Sequence, residues 1–523
     1  MEDKKWIVVM VLSLVAISSN FWGFPVYILD EAKNATCAME MLQRGDWVVP
    51  TFNGQLRTDK PPLHYFFMMA SYSIFGVTPF AARLFSVIMG MLTVGVVYRY
   101  TRRLEGERMA FVAGLTLASS FFFIAQFHLA VPDPYFIFFL TLCWLSFASG
   151  LRNGKASDLY VSYSSLALAF LAKGPAAVAL TVLVLVPYLG LTSGFSRESF
   201  RRTKALAGLG LFLLIAVPWW IAVAWQTKGA WVSDFIWSHN VGRFLTPYEG
   251  HTSIPGMAVV MFFISLIPLS VLIPRAMYQG WMERGARPLI LLAMLAVAAV
   301  VIFFTLSSTF LPNYVGPAVP FGAILIAYAV ERWIRKGQVT RLQWRLSIGA
   351  ALVLAAVVPV LYIAITRDQW IGDVPELALY FLPWPAGALV YSWFLRKGDI
   401  HKAVVAWFVG FWLAGVMIFY GAVPRIMAHN PVIQSLEIVQ QTDREVIGYR
   451  FFNAAYLFAL QKPLPTFWTP AEVLNYTTGG KPVMVLSRAD YENELVEAGF
   501  KVIFRHPYLF EGSTALILVN EPR

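Results

Sequence analysis

Apolar residues in this chain come in thirteen long runs, each near the ~20 residues an α-helix needs to cross the hydrocarbon core of a bilayer. They fall at roughly 6–25, 80–98, 109–127, 134–150, 157–172, 175–193, 205–224, 257–274, 287–305, 315–331, 346–366, 377–395 and 402–422. Within hydrocarbon every backbone amide must be satisfied inside the segment, so such runs specify helices. The expected fold class is an α-helical polytopic membrane protein with about 13 transmembrane helices. A shorter run at 63–76 follows Pro61-Pro62 and reads as an interfacial or re-entrant helix. Only 14% of the 523 residues are charged and the mean hydropathy is +0.61. A soluble domain carries roughly 25% charged residues, so this composition excludes an ordinary soluble enzyme.

A net charge of +11 could point to nucleic acid. The distribution argues against that partner, because Lys and Arg cluster in short loops between the runs. One alternate set of loops holds Lys4, Lys5, Arg99, Arg102, Arg103 and Arg108, and later Arg197, Arg201, Arg202, Lys204, Arg335 and Arg345. The other set is sparse in cations, so the first set is expected to be cytoplasmic. The sparse set then faces outward, as does the C-terminus. The N-terminal run has no small-residue cleavage site before Asp30 and reads as an uncleaved first helix. Cys37 and Cys143 suggest no disulfide framework.

From about residue 424 the pattern changes to short β-type runs, at 446–449, 482–486, 501–504 and 515–519, with helical spacing from Ala489 to Glu497. The expected organisation is a transmembrane unit over 1–423, with outward loops 26–79 and 225–256, and a small extramembrane α/β domain over 424–523.

The polar stretch from Asp30 to Tyr65 concentrates the first candidate residues. Asp30 and Glu31 are adjacent carboxylates at the outer end of the first run, where charge is costly and usually functional. Asp30 could cap the helix that follows, or serve as a general base. In Asp59-Lys60-Pro61-Pro62, Lys60 places a cation at an expected helix N-terminus, where the dipole disfavours it. A bound anion relieves that conflict, and phosphate is the obvious candidate. Asp133 lies between Pro132 and Pro134, and Lys173 is the sole charge of a tight outward turn. Snorkelling is the competing reading of Lys173. The second outward loop brings His239, Arg243, Glu249 and His251 close in sequence, with Trp225, Trp231 and Trp237 as candidate walls of a sugar pocket. A metal site would need ligands converging from several loops.

Taken in order, D-E-A-K at Asp30, G-D-W at Gly45, D-K-P-P-L at Asp59, A-R-L at Ala82, P-D-P at Asp133, A-K-G-P at Ala172 and N-V-G-R-F at Asn240 resemble the family 39 GT-C glycosyltransferases. The likeness is strongest to the lipid A aminoarabinose transferases, over roughly residues 20–320, with protein O-mannosyltransferases more distant. It implies transfer of a sugar from a polyprenyl-phosphate donor to a lipid, glycan or protein acceptor at the outward face of the inner membrane. It assigns catalysis to Asp30, with Glu31 beside it and Asp133 as a second carboxylate, and the carrier phosphate to Lys60, Lys173 and Arg243. Asp59 and His239 are the candidate ligands for one divalent cation. The chain departs from the family in having Asp59 where Glu is common. Asn240 stands where metal-binding relatives place a His, and Phe310 stands where relatives carry a Lys. The rival class is a transporter or flippase of lipid-linked intermediates. It is disfavoured because the charges sit at helix ends and no internal repeat is visible.

Overall fold

In the computed structural model, which describes residues 2–242, 256–267, 269–337, 339–368, 371–478, 480–509 and 512–520, the apolar runs are helices. The first twelve are α1 (Glu2–Ile17), α2 (Leu29–Arg44), α3 (Leu63–Phe75), α4 (Pro79–Glu105), α5 (Glu107–Ser119), α6 (Phe121–Gln126), α7 (Asp133–Asn153), α8 (Ala156–Lys173), α9 (Pro175–Ser193), α10 (Arg197–Arg202), α11 (Ala205–Gln226) and α12 (Ala230–Ile236). Among the described residues nine helical segments are long and apolar enough to cross a membrane: α4, α7, α9, α11, Pro288–Thr305, Pro312–Arg335, Arg341–Arg367, Pro375–Arg396 and Ile400–Ala428.

The other four expected spans differ for local reasons. Helix α1 has 16 residues. The 109–127 run divides into α5 and α6 at Ser120, whose hydroxyl accepts from the Phe123 N–H and starts the second piece. Helix α8 carries Ser157, Asp158, Ser162 and Ser164 in its first half. The 257–274 run is a pair, Met257–Ser265 and Leu269–Met282, bent by 111°. The short α3 matches the 13-residue length of an interfacial or re-entrant helix.

Helix α7 is buried along nearly its whole length and packs on α4 and α8, while the Trp144 indole donates to Thr181 of α9 at 3.0 Å. It carries Asp133 at its first turn, so the most enclosed helix of the bundle positions a candidate residue.

The apolar helical run Ile400–Ala428 passes the expected boundary before the C-terminal unit begins. That unit is a five-stranded sheet of β3 (Glu445–Tyr449), β4 (Thr466–Phe467), β5 (Val483–Arg488), β6 (Phe500–Pro507) and β7 (Thr514–Asn520), in the order β4-β3-β5-β7-β6. Strand β3 pairs in parallel with β4 and β5; β7 is antiparallel to β5 and β6. Alternate residues leave opposite faces of a strand. Ile447, Val485 and Leu518 form the unit's own core, while Val446, Met484 and Ile517 join a cluster containing Met39 and Met41 of α2. The Tyr27 hydroxyl accepts from the Leu509 N–H at 2.9 Å and adds to this docking.

One buried ion pair ties together the end of the bundle that carries α2. Arg83 of α4 donates from Nε and Nη2 to Glu31 of α2 at 2.6 and 2.8 Å, with the two side chains 0% and 1% exposed. Its remaining N–H groups reach the carbonyls of Phe21, Phe24 and Pro25 at 2.9–3.0 Å. Glu31 Oε1 also accepts from the Ala130 N–H at 2.9 Å. Removing one member of such a pair strands a buried charge, at a cost of ~3–5 kcal/mol. Arg83→Ala is expected to destabilise the chain by that amount, read as a clearly lowered Tm in detergent, and an unchanged Tm would show that the pair holds nothing.

Candidate active site

The site is built from the segment between α2 and α3. Helix α2 stops at Gly45, whose φ of 65° makes the left-handed cap that favours glycine. Strands β1 (Thr51–Phe52) and β2 (Gln55–Leu56) then form a hairpin around Asn53-Gly54, with φ of 51° and 74°. Asn-Gly suits this tight turn because both central residues need positive φ. Glu40 of α2 holds the turn: its carboxylate accepts from the Thr51 hydroxyl and the Asn53 N–H, both at 2.6 Å. The Asn53 side chain in turn bonds Leu464 and Thr466 of the C-terminal unit.

The hairpin returns the chain so that Arg57 is buried against α2. Its Nη2 lies 3.3 Å from both Asn34 Oδ1 and Asp59 Oδ2. His64 and Tyr65 of α3 converge on the same Asn34 oxygen, each at 3.2 Å. The Arg57 carbonyl accepts from the Trp231 indole of α12 at 2.8 Å, which fastens α12 to the segment between α2 and α3.

Between these parts opens a cavity of about 410 Å³, lined by Asp59, Lys60, Lys173 and His239 on its polar side and by Phe304 and Tyr314 among its aromatic walls. Lys173 Nζ contacts Asp133 Oδ1 at 2.8 Å, and Asn313 Nδ2 donates to the same oxygen at 2.9 Å. The ammonium also faces the rings of Phe136 and Tyr314 at 5.4 and 5.1 Å. Lys173 is therefore held by an ion pair rather than snorkelling. Asp30 is exposed in the first turn of α2, makes no capping hydrogen bond, and lies where its charge acts on Arg57 and Lys173.

Several sequence expectations need correction. Glu31, like Asp30 and Asp133, is not among the residues lining the cavity, and its two oxygens are engaged by Arg83 and the Ala130 N–H. Trp231 is buried against Trp219, Trp220 and Phe235, but Trp225 and Trp237 are 84% and 66% exposed and do not line the cavity. The aromatic wall comes instead from Phe136, Phe235, Phe304 and Tyr314. Phe310 is buried, edge-on to Tyr314. Arg243, Glu249 and His251 lie outside the described residues. Sequence reasoning passed over Arg57, Asn34, Asp234 and Asn313. Arg57 stands two residues before Asp59 in R-T-D-K, and that proximity was the available signal.

Asp59 and His239 meet at 3.1 Å, and Asp234 lies 3.7 Å from the same imidazole nitrogen. Thr58 and Ser238 both donate to Asp234, each at 2.5 Å. Carboxylate and imidazole are suitable donors for a divalent cation. Among the described residues, however, no group of three or more His, Cys, Asp or Glu is arranged to hold one. Burial works to raise the Asp59 carboxyl, and the charges of Arg57, His239 and Lys60 outweigh it and hold the group below its ordinary value. Hydrogen bonds from Ser238 and Thr58 lower Asp234 similarly.

A many-helix bundle with a small terminal sheet is the fold of the GT-C membrane glycosyltransferases, and the chain is similar to enzymes of that type. It resembles the aminoarabinose transferases. The profile of the dolichyl-phosphate-mannose-protein mannosyltransferase family matches residues 59–222. The undecaprenyl phosphate-alpha-4-amino-4-deoxy-L-arabinose arabinosyl transferase of Pseudomonas aeruginosa is 29% identical over 377 residues, 70% of this chain and 67% of that protein. The crystal structure of ArnT from Cupriavidus metallidurans bound to undecaprenyl phosphate superposes with a TM-score of 0.82 at 21% identity, covering 99% of this chain and 98% of that one. The Archaeoglobus fulgidus oligosaccharyltransferase shares the fold more distantly, with a TM-score of 0.53 at 12% identity over 96% and 72% of the two chains.

A carboxyl depressed in the folded state contributes stability above its unfolded value, and that contribution is lost as pH falls through the folded value. The Tm difference between parent and Asp59→Asn is therefore expected to be full near neutral pH and to shrink below pH ~4. A difference independent of pH would contradict the assignment.

Proposed function

We propose that the chain transfers a sugar from a polyprenyl-phosphate carrier to a lipid, glycan or protein acceptor, at the periplasmic or exterior face of the inner membrane. The observation that carries this reading is the convergence of Lys60 and Lys173 on one aromatic-walled cavity. Two cations beside apolar walls suit a phosphate joined to a sugar and a lipid tail. The outward placement of the site and of the C-terminal unit rests on the distribution of Lys and Arg among the loops.

In this reading the carrier phosphate lies against Lys60 and Lys173, with Arg243 as a third cation. Fixed cations in a water-poor cavity stabilise charge that builds on the departing phosphate. Asp30 orients the acceptor hydroxyl and takes its proton. The acceptor oxygen bonds to the anomeric carbon as the carbon–oxygen bond to phosphate breaks on the opposite face, which inverts the centre. The carrier leaves as polyprenyl phosphate. Asp133 keeps Lys173 charged and aimed while contributing no proton itself, and Asn313 shares that carboxylate. The similarity to the Pseudomonas aeruginosa transferase makes an undecaprenyl phosphate-linked aminopentose the first donor to supply.

Asp30→Asn tests the central role. General-base catalysis contributes roughly 10²–10⁴-fold. The variant is expected to lose turnover by that factor in a detergent transfer assay, with Tm and carrier binding retained. Near-parental turnover would remove Asp30 from the mechanism. Carrier binding by the parent without any transfer, across a panel of donors and acceptors, would favour a flippase.

A further inference from the structure

Helices α7 and α8 carry Asp133 and Lys173 at one end, and the walls of a second cavity at the other. That cavity measures about 320 Å³ and is bounded by Gly150, Leu151 and Ala156, with Arg201, Arg202 and Lys204 supplied by the segment around α10. An 18-residue helix is roughly 27 Å long. The two cavities thus face opposite leaflets of one bilayer. Glu198 is the single carboxylate of the lining, against three cations.

Several other cations at the same end of the bundle have a carboxylate partner. Arg103 pairs with Asp158, Arg152 with Glu105, Arg287 with Glu105 and Glu331, and Arg332 with Glu283. Among the described residues no carboxylate lies within ion-pair distance of Arg201, Arg202 or Lys204, and Arg202 makes a single hydrogen bond, to the Leu151 carbonyl at 3.2 Å. Lys204 also holds a φ of 57°, a left-handed conformation that lysine rarely adopts. Strain of this kind persists where the surroundings impose it, and it collects at binding sites. Exposed apolar side chains flank the cavity in sequence: Phe195 is 76%, Phe200 53% and Leu206 78% exposed. In a protein of this class those side chains meet lipid. A basic cavity between membrane helices beside such side chains has the chemistry of a lipid headgroup site.

We propose that this cavity binds the phosphate of an anionic phospholipid from the leaflet opposite the candidate active site, with Arg201, Arg202 and Lys204 as its counter-charges and Phe195, Phe200 and Leu206 against the acyl chains. The proposal rests on the membrane fold and is independent of the transfer reaction.

The test uses the full chain, delipidated in detergent and examined by native mass spectrometry with added phosphatidylglycerol, phosphatidylcholine or inorganic phosphate. Phosphatidylglycerol is expected to bind about tenfold or more tightly than phosphatidylcholine, and the preference to fall by about tenfold in Arg201→Ala/Arg202→Ala/Lys204→Ala. Arg341→Ala/Arg345→Ala, which removes similar charge elsewhere at that end, is expected to bind like the parent. The single exposed change Lys204→Gln gives the same reading, with a smaller loss, where the triple variant melts early. Equal retention of phosphatidylcholine, or parental binding in both cavity variants, overturns the proposal. Displacement of phosphatidylglycerol by millimolar inorganic phosphate would make the site one for a free anion and would overturn the lipid assignment. Failure of the transfer reading leaves each of these outcomes unchanged.

Discussion

The architecture around the candidate site depends on the ion pair between Glu31 and Arg83. Four pieces of chain meet there: the turn after α1, the first turn of α2, the N-terminal part of α4, and the segment that leads into Asp133. A buried charge pair contributes little net stability by itself, because desolvation offsets much of the attraction. Its value lies in geometry. The guanidinium satisfies three backbone carbonyls that would otherwise be unpaired in a connection without secondary structure, and the carboxylate orders the approach to α7. Asp30 is next in sequence to Glu31, so fixing one carboxylate in the core presents the other at the rim. The two adjacent acids have opposite fates for that reason.

The cavity follows the same logic with a different balance. Lys173 is buried enough that it needs an anion, and Asp133 supplies one from a neighbouring helix, with Asn313 bonding the shared oxygen. Arg57 is likewise paired with Asp59 beneath the surface of the cavity. The cations are thus charged and oriented before any phosphate arrives, which is the condition for electrostatic preorganisation. The aromatic walls lower the local dielectric and strengthen those charges. The C-terminal unit contributes indirectly: Asn53 links the hairpin ahead of Lys60 to Leu464 and Thr466, so the sheet braces the segment on which that lysine is carried.

Much of this was legible in the sequence. Runs of the right length placed every long helix, because the hydrocarbon core fixes length and forbids unpaired backbone. The β-type runs at 446–449 and 515–519 lie inside strands β3 and β7. Lys60, Lys173, Asp59 and His239 do share one cavity. What the sequence hid were interactions between side chains far apart along it. Arg83 appears in the sequence only within the A-R-L motif, and only the fold brings it to Glu31, 52 residues away. Nothing in the sequence singles out Asn313, and only the fold brings it to Asp133, 180 residues away. The tryptophans of the second loop mislead because they fall on three different elements, and only one of the three is buried. Trp231 is, on α12, and Trp225 and Trp237 are not.

The central claim is that Lys60 and Lys173 hold the phosphate of a polyprenyl carrier, and carrier retention measures it most directly. The purified chain, supplied with undecaprenyl phosphate, would be compared by native mass spectrometry with Lys60→Ala/Lys173→Ala of matched thermal stability. The account predicts a bound carrier in the parent that is lost in the variant. Equal retention by both proteins, or no retention by the parent at saturating lipid, would contradict it.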